Sequence, residues 1–427
     1  MSTSVLKVGV AGLGTVGAGL LAIAARGGLG QDRLQIAAVS ARSRSRQRGV
    51  DISGYAFVDD PVEMARDPAI AVFVELIGGS DGPAKKAVQV ALERGAHVVT
   101  ANKALIAEHG LELAAIAEKS GASLLFEAAV AGGVPIVKVM KESLAASEVQ
   151  SVSGILNGTC NYLLTEMEAS GRAFEDVLAD AQRLGYAEAD PTMDVGGFDA
   201  AHKIAILAAI AFRTQPDYGG VAIRGVDLVR LVDIQLAAKL GYRIKLIAKA
   251  ERLGGAVSVT VGPALVGHDH PLAGVGGPLN AVTVLADPVG ALTFQGRGAG
   301  SGPTANAVAA DLIDIANGRK GPAFGVPVAA LKPPVRLTLD EPRRFYVRLL
   351  VHDRPGVIAA VSDRLGRAQV SIDSILQMPV GPGPLVPIVL TTQPCPKAAL
   401  EDACVAIGAL DAVSETPCVL PIEDGNR

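Results

Sequence analysis

A glycine-rich turn between an apolar strand and a helix constrains the fold of this chain more than any other feature. The apolar segment 5–11 (VLKVGVA) predicts a buried strand, and helical character follows from residue 18. The turn between them has the pattern G-x-G-x-x-G and comprises Gly12, Leu13, Gly14, Thr15, Val16 and Gly17. Such glycines allow a tight turn, close approach of a pyrophosphate and close helix packing. The turn therefore predicts a Rossmann-type domain that binds a dinucleotide.

The second predicted strand, 34–39, is followed by hydroxyl and arginine side chains. Residues 40–46 read SARSRSR, at the place where NAD-binding domains usually carry an acidic residue for the ribose 2′-hydroxyl. Guanidinium groups bind phosphate in a bidentate manner, so Arg42 and Arg44 favour NADP, although NAD stays open. The alternative is a solvated basic loop.

Strand-like and helical segments alternate through the first third of the chain. Further strands are predicted at 71–77, 97–100 and 123–126, and a helix at 83–94. This alternation is typical of βαβ units that form a mostly parallel sheet. Lys103 lies just after the strand 97–100, and ligands of such sheets bind at the carboxyl ends of the strands. We therefore expect Lys103 to face the cofactor or the substrate.

A run of carboxylates ends on a lysine in the segment 184–203, LGYAEADPTMDVGGFDAAHK. If the part after Gly197 is helical, Asp199 and Lys203 lie on the same face. Three more carboxylates precede them in a loop rich in Pro and Gly: Glu188, Asp190 and Asp194. An ammonium group held rigidly at a pocket edge is a candidate acid. The alternative is an ordinary surface ion pair.

The composition argues against several classes of protein. The formal net charge is −4 and no basic stretch is interleaved with aromatic residues, so nucleic-acid binding is not expected. The four cysteines show no C-x-x-C spacing, which indicates reduced thiols in a cytoplasmic protein. The apolar stretches are too short to span a bilayer, so no membrane association is expected. His268 and His270 lack a third candidate ligand, which argues against zinc.

The C-terminal part predicts a small ferredoxin-like module after a hinge at 332–334 (KPP). The expected order is βαββαβ, with strands at 344–351, 370–376, 385–392 and 413–419 and helices at 357–367 and 397–410. The fold class is thus α/β, with an additional α+β middle part between the dinucleotide-binding part and this module.

Ordered motifs along nearly the whole chain resemble the homoserine dehydrogenase family. They are GLGTVG (12–17), TANKAL (100–105), EAAVAGGVPI (127–136), GILNGTCNY (154–162), the segment 184–203 and GAGSGPTANAVAADL (298–312). The sequence DRPGVIAAVSDRLG (353–366) resembles an ACT domain. The resemblance implies reduction of aspartate 4-semialdehyde to homoserine with NADPH or NADH, on the route to threonine and methionine.

The resemblance also implies a role for individual residues. The catalytic residues would be Lys203 as proton donor, Asp199, and Lys103, which shares the acid role or orients the substrate. The substrate would be bound by Glu188, at its amino group, and by Asp194, Asn157, Thr159 and Tyr186. Gly302 would reach the cofactor from a late helix. A monovalent cation, Na⁺ or K⁺, would be held mostly by main-chain oxygens of Glu127, Val130, Gly132 and Val134.

We expect three domains: 1–135, completed by about 300–330, for the dinucleotide; 136–299 for the substrate and dimerisation; and 340–427 as the ACT domain. The ACT domain would bind threonine as an effector, or serve only for dimerisation, and the assembly would be a homodimer or homotetramer. The enzyme would be monofunctional, without an aspartate kinase domain. Two alternatives stay open: an acylating semialdehyde dehydrogenase with Cys160 as nucleophile, for which no histidine partner is evident, and a catalytically silent amino-acid sensor.

Overall fold

The computed structural model describes residues 5–30, 33–337, 341–377 and 384–423. The N-terminal part is built on a six-stranded parallel sheet. Its strands are β1 (Leu6–Ala11), β2 (Leu34–Ser40), β3 (Ala56–Phe57), β4 (Val72–Glu75), β5 (His97–Thr100) and β6 (Leu124–Leu125). Their order, β3-β2-β1-β4-β5-β6, is that of the doubly wound dinucleotide-binding fold.

The helices of the N-terminal part that cover this sheet are α1 (Thr15–Ala25), α2 (Pro61–Arg66), α3 (Pro83–Glu93) and α4 (Lys103–Ser120). Both faces of the sheet are buried, which explains why its strands read as continuous apolar runs. On β4, Val72 and Val74 contribute to the core under α1, whereas Phe73 contributes to the core under α2, α3 and α4.

The middle part combines a mostly antiparallel sheet with helices. The strands are β7 (Glu148–Ile155), β8 (Ala222–Ile223), β9 (Tyr242–Leu253), β10 (Ala256–Gly267), β11 (Leu279–Asp287) and β12 (Gly290–Arg297). The helices are α5 (Ile136–Lys138), α6 (Gly158–Ser170), α7 (Phe174–Arg183), α8 (Thr192–Val195), α9 (Phe198–Phe212) and α10 (Leu231–Lys239). Helix α9 is apolar nearly all round because it is buried against β7, β9, β10 and α4.

The chain then returns to the first sheet through α11 (Ser301–Ala316), which packs beside α1. The two helices approach closely at Gly19, where an added Cβ atom would lie 2.6 Å from the Ser301 hydroxyl oxygen. Ala305, Val308 and Leu312 of α11 belong to the same core as β1 and α1.

The C-terminal module has the expected βαββαβ order. It comprises β13 (Phe345–His352), α12 (Val357–Arg367), β14 (Ile372–Gln377), β15 (Leu385–Thr392), α13 (Lys397–Gly408) and β16 (Cys418–Glu423). The α/β fold class with this module is confirmed, but the last strand is not at 413–419. Val413 forms only an isolated bridge to Val351. The strand lies further on because β16 pairs with both β13 and β10, joining the middle and C-terminal parts in one ten-stranded sheet.

Within the described ranges, no helix is both long enough and apolar enough to cross a membrane.

Candidate active site

The side chains singled out in the sequence come together where α4 meets α9. Lys103 is the first residue of α4, directly beyond the carboxyl end of β5, and α9 carries Asp199 and Lys203. The two helices pack against each other. A polar site therefore lies between the dinucleotide-binding part and the middle part.

Two lysines share one buried carboxylate in this site. The Nζ atom of Lys203 lies 2.7 Å from Oδ2 of Asp199, and the Nζ atom of Lys103 lies 3.1 Å from Oδ1. Lys203 is 8% exposed and Asp199 7%, so the pair is not a surface ion pair. Lys203 also donates to the main-chain oxygen of Leu156 at 2.7 Å. The same-face geometry expected from the spacing is confirmed, and the Lys203 ammonium is fixed from two sides.

The local charges favour the ionised forms of Asp199 and Lys103. Burial alone would raise the pKa of the Asp199 carboxyl, but the ammonium groups of Lys203 and Lys103 outweigh it and hold that pKa well below its usual value. The charge of Asp199 in turn raises the pKa of Lys103, against the opposing effect of burial. Burial raises the pKa of Asp194. The carboxylate form of Asp199 and the ammonium form of Lys103 thus stabilise each other.

Asn157 connects the carboxylates of this cluster. Its Nδ2 atom donates to Asp194 at 2.7 Å and to Asp199 at 2.9 Å. Its Oδ1 atom accepts from the main-chain N–H of Cys160 at 2.8 Å and caps helix α6. Both amide hydrogens of Asn157 are therefore already used within the protein.

The remaining substrate-binding candidates are Thr159, Tyr186 and Glu188, which are more exposed than the buried ion pair of α9. The Thr159 hydroxyl donates to the main-chain oxygen of Tyr186 at 2.8 Å, and the Tyr186 ring lies 4.9 Å from that of Tyr162. Tyr186 and Glu188 are exposed. The charge of Glu188 is close enough to add to the rise in the pKa of Lys103.

The glycine-rich turn has the geometry that its sequence predicts. Gly12 has φ +103°, and a Cβ atom there would lie 2.3 Å from the main-chain oxygen of Leu76. A Cβ atom at Gly17 would lie 2.1 Å from the oxygen of Gly12. Gly14 and Gly302 have no atom within 4 Å of that position, so both face open space. The turn is therefore closely packed at Gly12 and Gly17 and open to solvent at Gly14, as a pyrophosphate site requires.

Arg42 and Arg44 are exposed in the loop after β2. The Arg44 guanidinium lies 5.6 Å from the centre of the Phe57 ring. Arg48 donates to the main-chain oxygen of Arg46 at 2.6 Å and also to that of Ser43. These contacts organise the loop and leave the guanidinium groups of Arg42 and Arg44 at the surface.

Three family models match the chain. The model for homoserine dehydrogenase matches residues 135–313, the model for the homoserine dehydrogenase NAD binding domain matches 12–127, and the ACT domain model matches 345–394.

Relatives match along the full length. The homoserine dehydrogenase of Pseudomonas aeruginosa is 41% identical over 439 residues, covering 99% of both chains. That of Neisseria gonorrhoeae is 40% identical over 431 residues, covering 98% of both. The crystal structure of a homoserine dehydrogenase from Thiobacillus denitrificans is similar with a TM-score of 0.92 at 38% identity, covering 99% of both chains. This chain belongs to the homoserine dehydrogenase family.

Membership of the homoserine dehydrogenase family confirms the resemblance drawn from the ordered motifs and the oxidoreductase class. The matched NAD binding domain also supports a nicotinamide cofactor. Neither alternative, an acylating dehydrogenase or a silent sensor, agrees with this assignment.

Cys160, the nucleophile of the acylating alternative, is buried with 0% exposure. Its thiol donates to the main-chain oxygen of Asp194 at 3.2 Å. Burial raises the pKa of this thiol well above its usual value, and the carboxylates of Asp194 and Asp199 add to the rise. The thiol form is therefore favoured, which suits a structural residue rather than a nucleophile.

The four residues expected at the cation site are buried, and the segment is hydrogen-bonded to α11. The Glu127 carboxylate, 3% exposed, accepts from the main-chain N–H groups of Val137 at 3.1 Å and Lys138 at 2.7 Å. The main-chain N–H of Glu127 donates to Asp311 at 3.0 Å. Burial, together with the charge of Asp311, raises the pKa of Glu127 to about 7. Val130, Gly132 and Val134 are also buried.

Some polar residues near the site were not predicted. Asn280 on β11 is 1% exposed and donates to the main-chain oxygen of Leu156 at 2.9 Å, the atom that also accepts from Lys203. Next to Lys103, hydrogen bonds connect Asn102 to Thr100 and Thr100 to Glu75. A polar residue inside an apolar strand pattern is the one signal that could have indicated Asn280 and Glu75.

Proposed function

We propose that this chain interconverts L-aspartate 4-semialdehyde and L-homoserine with a nicotinamide cofactor, and that Lys203 is the acid. The observation that supports this proposal is the pair of lysines sharing the buried Asp199 carboxylate. A bound reduced nicotinamide supplies the hydride to the aldehyde carbon. As the C=O bond becomes a C–O single bond, Lys203 gives a proton to the oxygen, and it takes that proton back in the reverse direction.

The substrate is oriented by the groups around this ammonium. Glu188 and Asp194 bind the substrate amino group, and Thr159 and Tyr186 also contact the substrate. Asn157 acts by holding the carboxylates of Asp194 and Asp199, because its amide hydrogens are donated to them. Asp199 holds the Lys203 ammonium in place through the contact of 2.7 Å, and Lys103, whose side chain is 40% exposed, orients the substrate.

The direct test is an absorbance assay in which the purified protein reduces NADP⁺ or NAD⁺ with L-homoserine. We expect formation of the reduced nicotinamide only when both homoserine and cofactor are present. If neither cofactor is reduced with homoserine, the proposed reaction is wrong. Titrating L-threonine into the same assay tests the proposed effector.

The cofactor preference is proposed to be for NADP, through Arg42 and Arg44. The double variant Arg42→Ala/Arg44→Ala is expected to raise KM for NADP⁺ about 10-fold or more, because charge-assisted hydrogen bonds to the 2′-phosphate are lost. KM for NAD⁺, which lacks this phosphate, should change little. Arg26→Ala, an exposed arginine at the far end of α1, is the matched control. Equal rises for both cofactors would contradict the 2′-phosphate role.

Cys160 is proposed to have no chemical role. Cys160→Ser is expected to keep kcat within about 3-fold, because the hydroxyl can replace the thiol as donor to the main-chain oxygen of Asp194. Steady-state kinetics with homoserine measures this, with Cys404→Ser in the ACT domain as the control variant. Loss of more than about 100-fold in kcat, as expected for a removed nucleophile, would revive the acylating alternative.

The ACT domain is proposed to bind threonine and to regulate the enzyme. A surface pocket lies where β13 leads into α12 and is lined by Asp353, Arg354, Gly356, Ile358 and Gln377, among others. The pocket lies at the N-terminal end of α12, and the positive end of the helix dipole suits an amino-acid carboxylate. We further propose a cytoplasmic homodimer or homotetramer. The division into domains at 1–135 with 300–330, 136–299 and 340–427 is part of the same proposal.

A monovalent cation is proposed at the segment of Glu127, Val130, Gly132 and Val134. Its ligands would be mostly main-chain oxygens, which suit a hard cation. Anomalous scattering from crystals soaked in Tl⁺, a substitute for K⁺, tests whether this segment binds the ion.

A further inference from the structure

A fully buried carboxylate stands at the carboxyl end of β4, outside the lysine cluster. Glu75 is the last residue of β4 and has 0% exposure. Its Oε1 atom accepts from the main-chain N–H groups of Ile77 at 2.7 Å and Gly78 at 3.0 Å. Its Oε2 atom accepts from the hydroxyl of Thr100, at the end of the neighbouring strand β5. Burying a carboxylate is costly, so a purely structural strand end would more readily carry an apolar residue.

The hydrogen bonds continue from Glu75 to the start of α4. The Thr100 oxygen accepts from the main-chain N–H of Asn102 at 2.9 Å. The Asn102 side chain accepts from the N–H of Leu105 at 3.1 Å, which caps α4, and donates to the main-chain oxygen of Gly79 at 2.7 Å. We call Glu75, Thr100 and Asn102 the Glu75 relay. Since Lys103 follows Asn102 directly, the relay sets the position and direction of the first turn of α4.

The turn held by Glu75 also supports the dinucleotide site. The main-chain N–H of Leu76 donates to the oxygen of Ala11 at 2.7 Å, and the Leu76 oxygen lies against Gly12. Glu75 thus lies between two functional elements, the glycine-rich turn and the lysine at the head of α4. A test must separate an effect on cofactor binding from an effect on Lys103.

We infer that the Glu75 relay is a positioning device for Lys103. Lys103 must reach from α4 to Asp199 on α9, and the contact of 3.1 Å depends on where α4 begins. A displacement of about 1 Å at a reacting group can cost up to about 100-fold in rate. The inference rests on the proposed role of Lys103 in substrate orientation and adds the residues that act through it.

The test compares Thr100→Val, which removes the hydroxyl at nearly constant volume, with Thr100→Ser, which keeps it. We expect Thr100→Val to lower kcat/KM for homoserine about 10- to 100-fold, and Thr100→Ser to stay within about 3-fold of the parent. The Kd for NADPH, measured by its fluorescence, should be unchanged in both variants. If Thr100→Val does not fold, Thr100→Ala, which also removes the hydroxyl and leaves Glu75 in place, is used instead with the same expected loss.

The same substitution in a Lys103→Ala background decides how the relay acts. If the relay acts through Lys103, Thr100→Val should lower kcat/KM by less than about 2-fold once Lys103 is absent. A full additional loss in that background, or a raised Kd for NADPH, would overturn the inference. If Lys103→Ala alone keeps full activity, the proposed role of Lys103 fails instead, and the two failures are distinguishable.

Discussion

Replacing Lys203 by methionine is expected to lower kcat for homoserine oxidation by roughly 10²- to 10⁴-fold, the range typical of a lost general acid or base. Methionine fills the space of the lysine stem, which matters because Lys203 is only 8% exposed. Asp199 keeps its second cation, Lys103, at 3.1 Å, so the carboxylate is not left unpaired. The loss should therefore be in chemistry rather than in folding.

Three measurements make this prediction specific to the proton transfer. The Kd for NADPH should remain within about 3-fold of the parent value, because Lys203 lies on α9 and not on the glycine-rich turn. The thermal unfolding midpoint should fall only slightly. Lys119→Met, at the exposed far end of α4, is the control lysine and should keep full activity. Near-full turnover by Lys203→Met would remove Lys203 from the mechanism.

Lys103→Met is expected to differ from Lys203→Met in kind. Because Lys103 is proposed to orient the substrate, its loss should raise KM for homoserine as well as lower kcat. The split between KM and kcat therefore distinguishes the two lysines that share Asp199.

Local spacing was sufficient to predict the parts of the site that lie on one element or one motif. The separation of Asp199 and Lys203 predicted their contact, because an α-helix brings residues four apart to the same face. The glycine-rich turn and the parallel sheet also follow from local patterns.

The residues that sequence reasoning missed depend on contacts between distant segments. Glu75 stands inside the apolar run 71–77, and nothing local shows that Thr100 will donate to it from the next strand. Asn280 reaches Leu156 only because β11 pairs with β7. The last strand was misplaced for the same reason, since β16 is selected by pairing with strands of two parts of the chain.

Arg348→Met is expected to destabilise the junction of the ACT domain and the middle part by about 3–5 kcal/mol, the usual cost of breaking a buried ion pair. Arg348 on β13 is 3% exposed, and its Nε atom lies 2.6 Å from Oδ1 of Asp233, which is 0% exposed. Tyr346 donates to the same carboxylate at 2.9 Å. Asp233 also caps α10, because its Oδ2 atom accepts from the N–H of Arg230 at 2.9 Å. Removing Arg348 leaves this buried carboxylate without its cation.

The matched control is Arg367→Met, which breaks an ion pair with Asp363 on the surface of α12, where the arginine side chain is 72% exposed. That variant should barely change the unfolding midpoint, because solvent screens exposed pairs.

Adding Asp233→Asn to Arg348→Met should recover much of the loss, since the amide removes the uncompensated charge and can still cap α10. Hydrogen exchange of β13 and α10 locates the effect, which should be largest in these two elements. If Arg348→Met unfolds like the control, the buried pair does not hold the two parts together. Because β13 leads to the proposed effector pocket and carries Arg348, this pair connects the strand beside that pocket to α10 of the middle part.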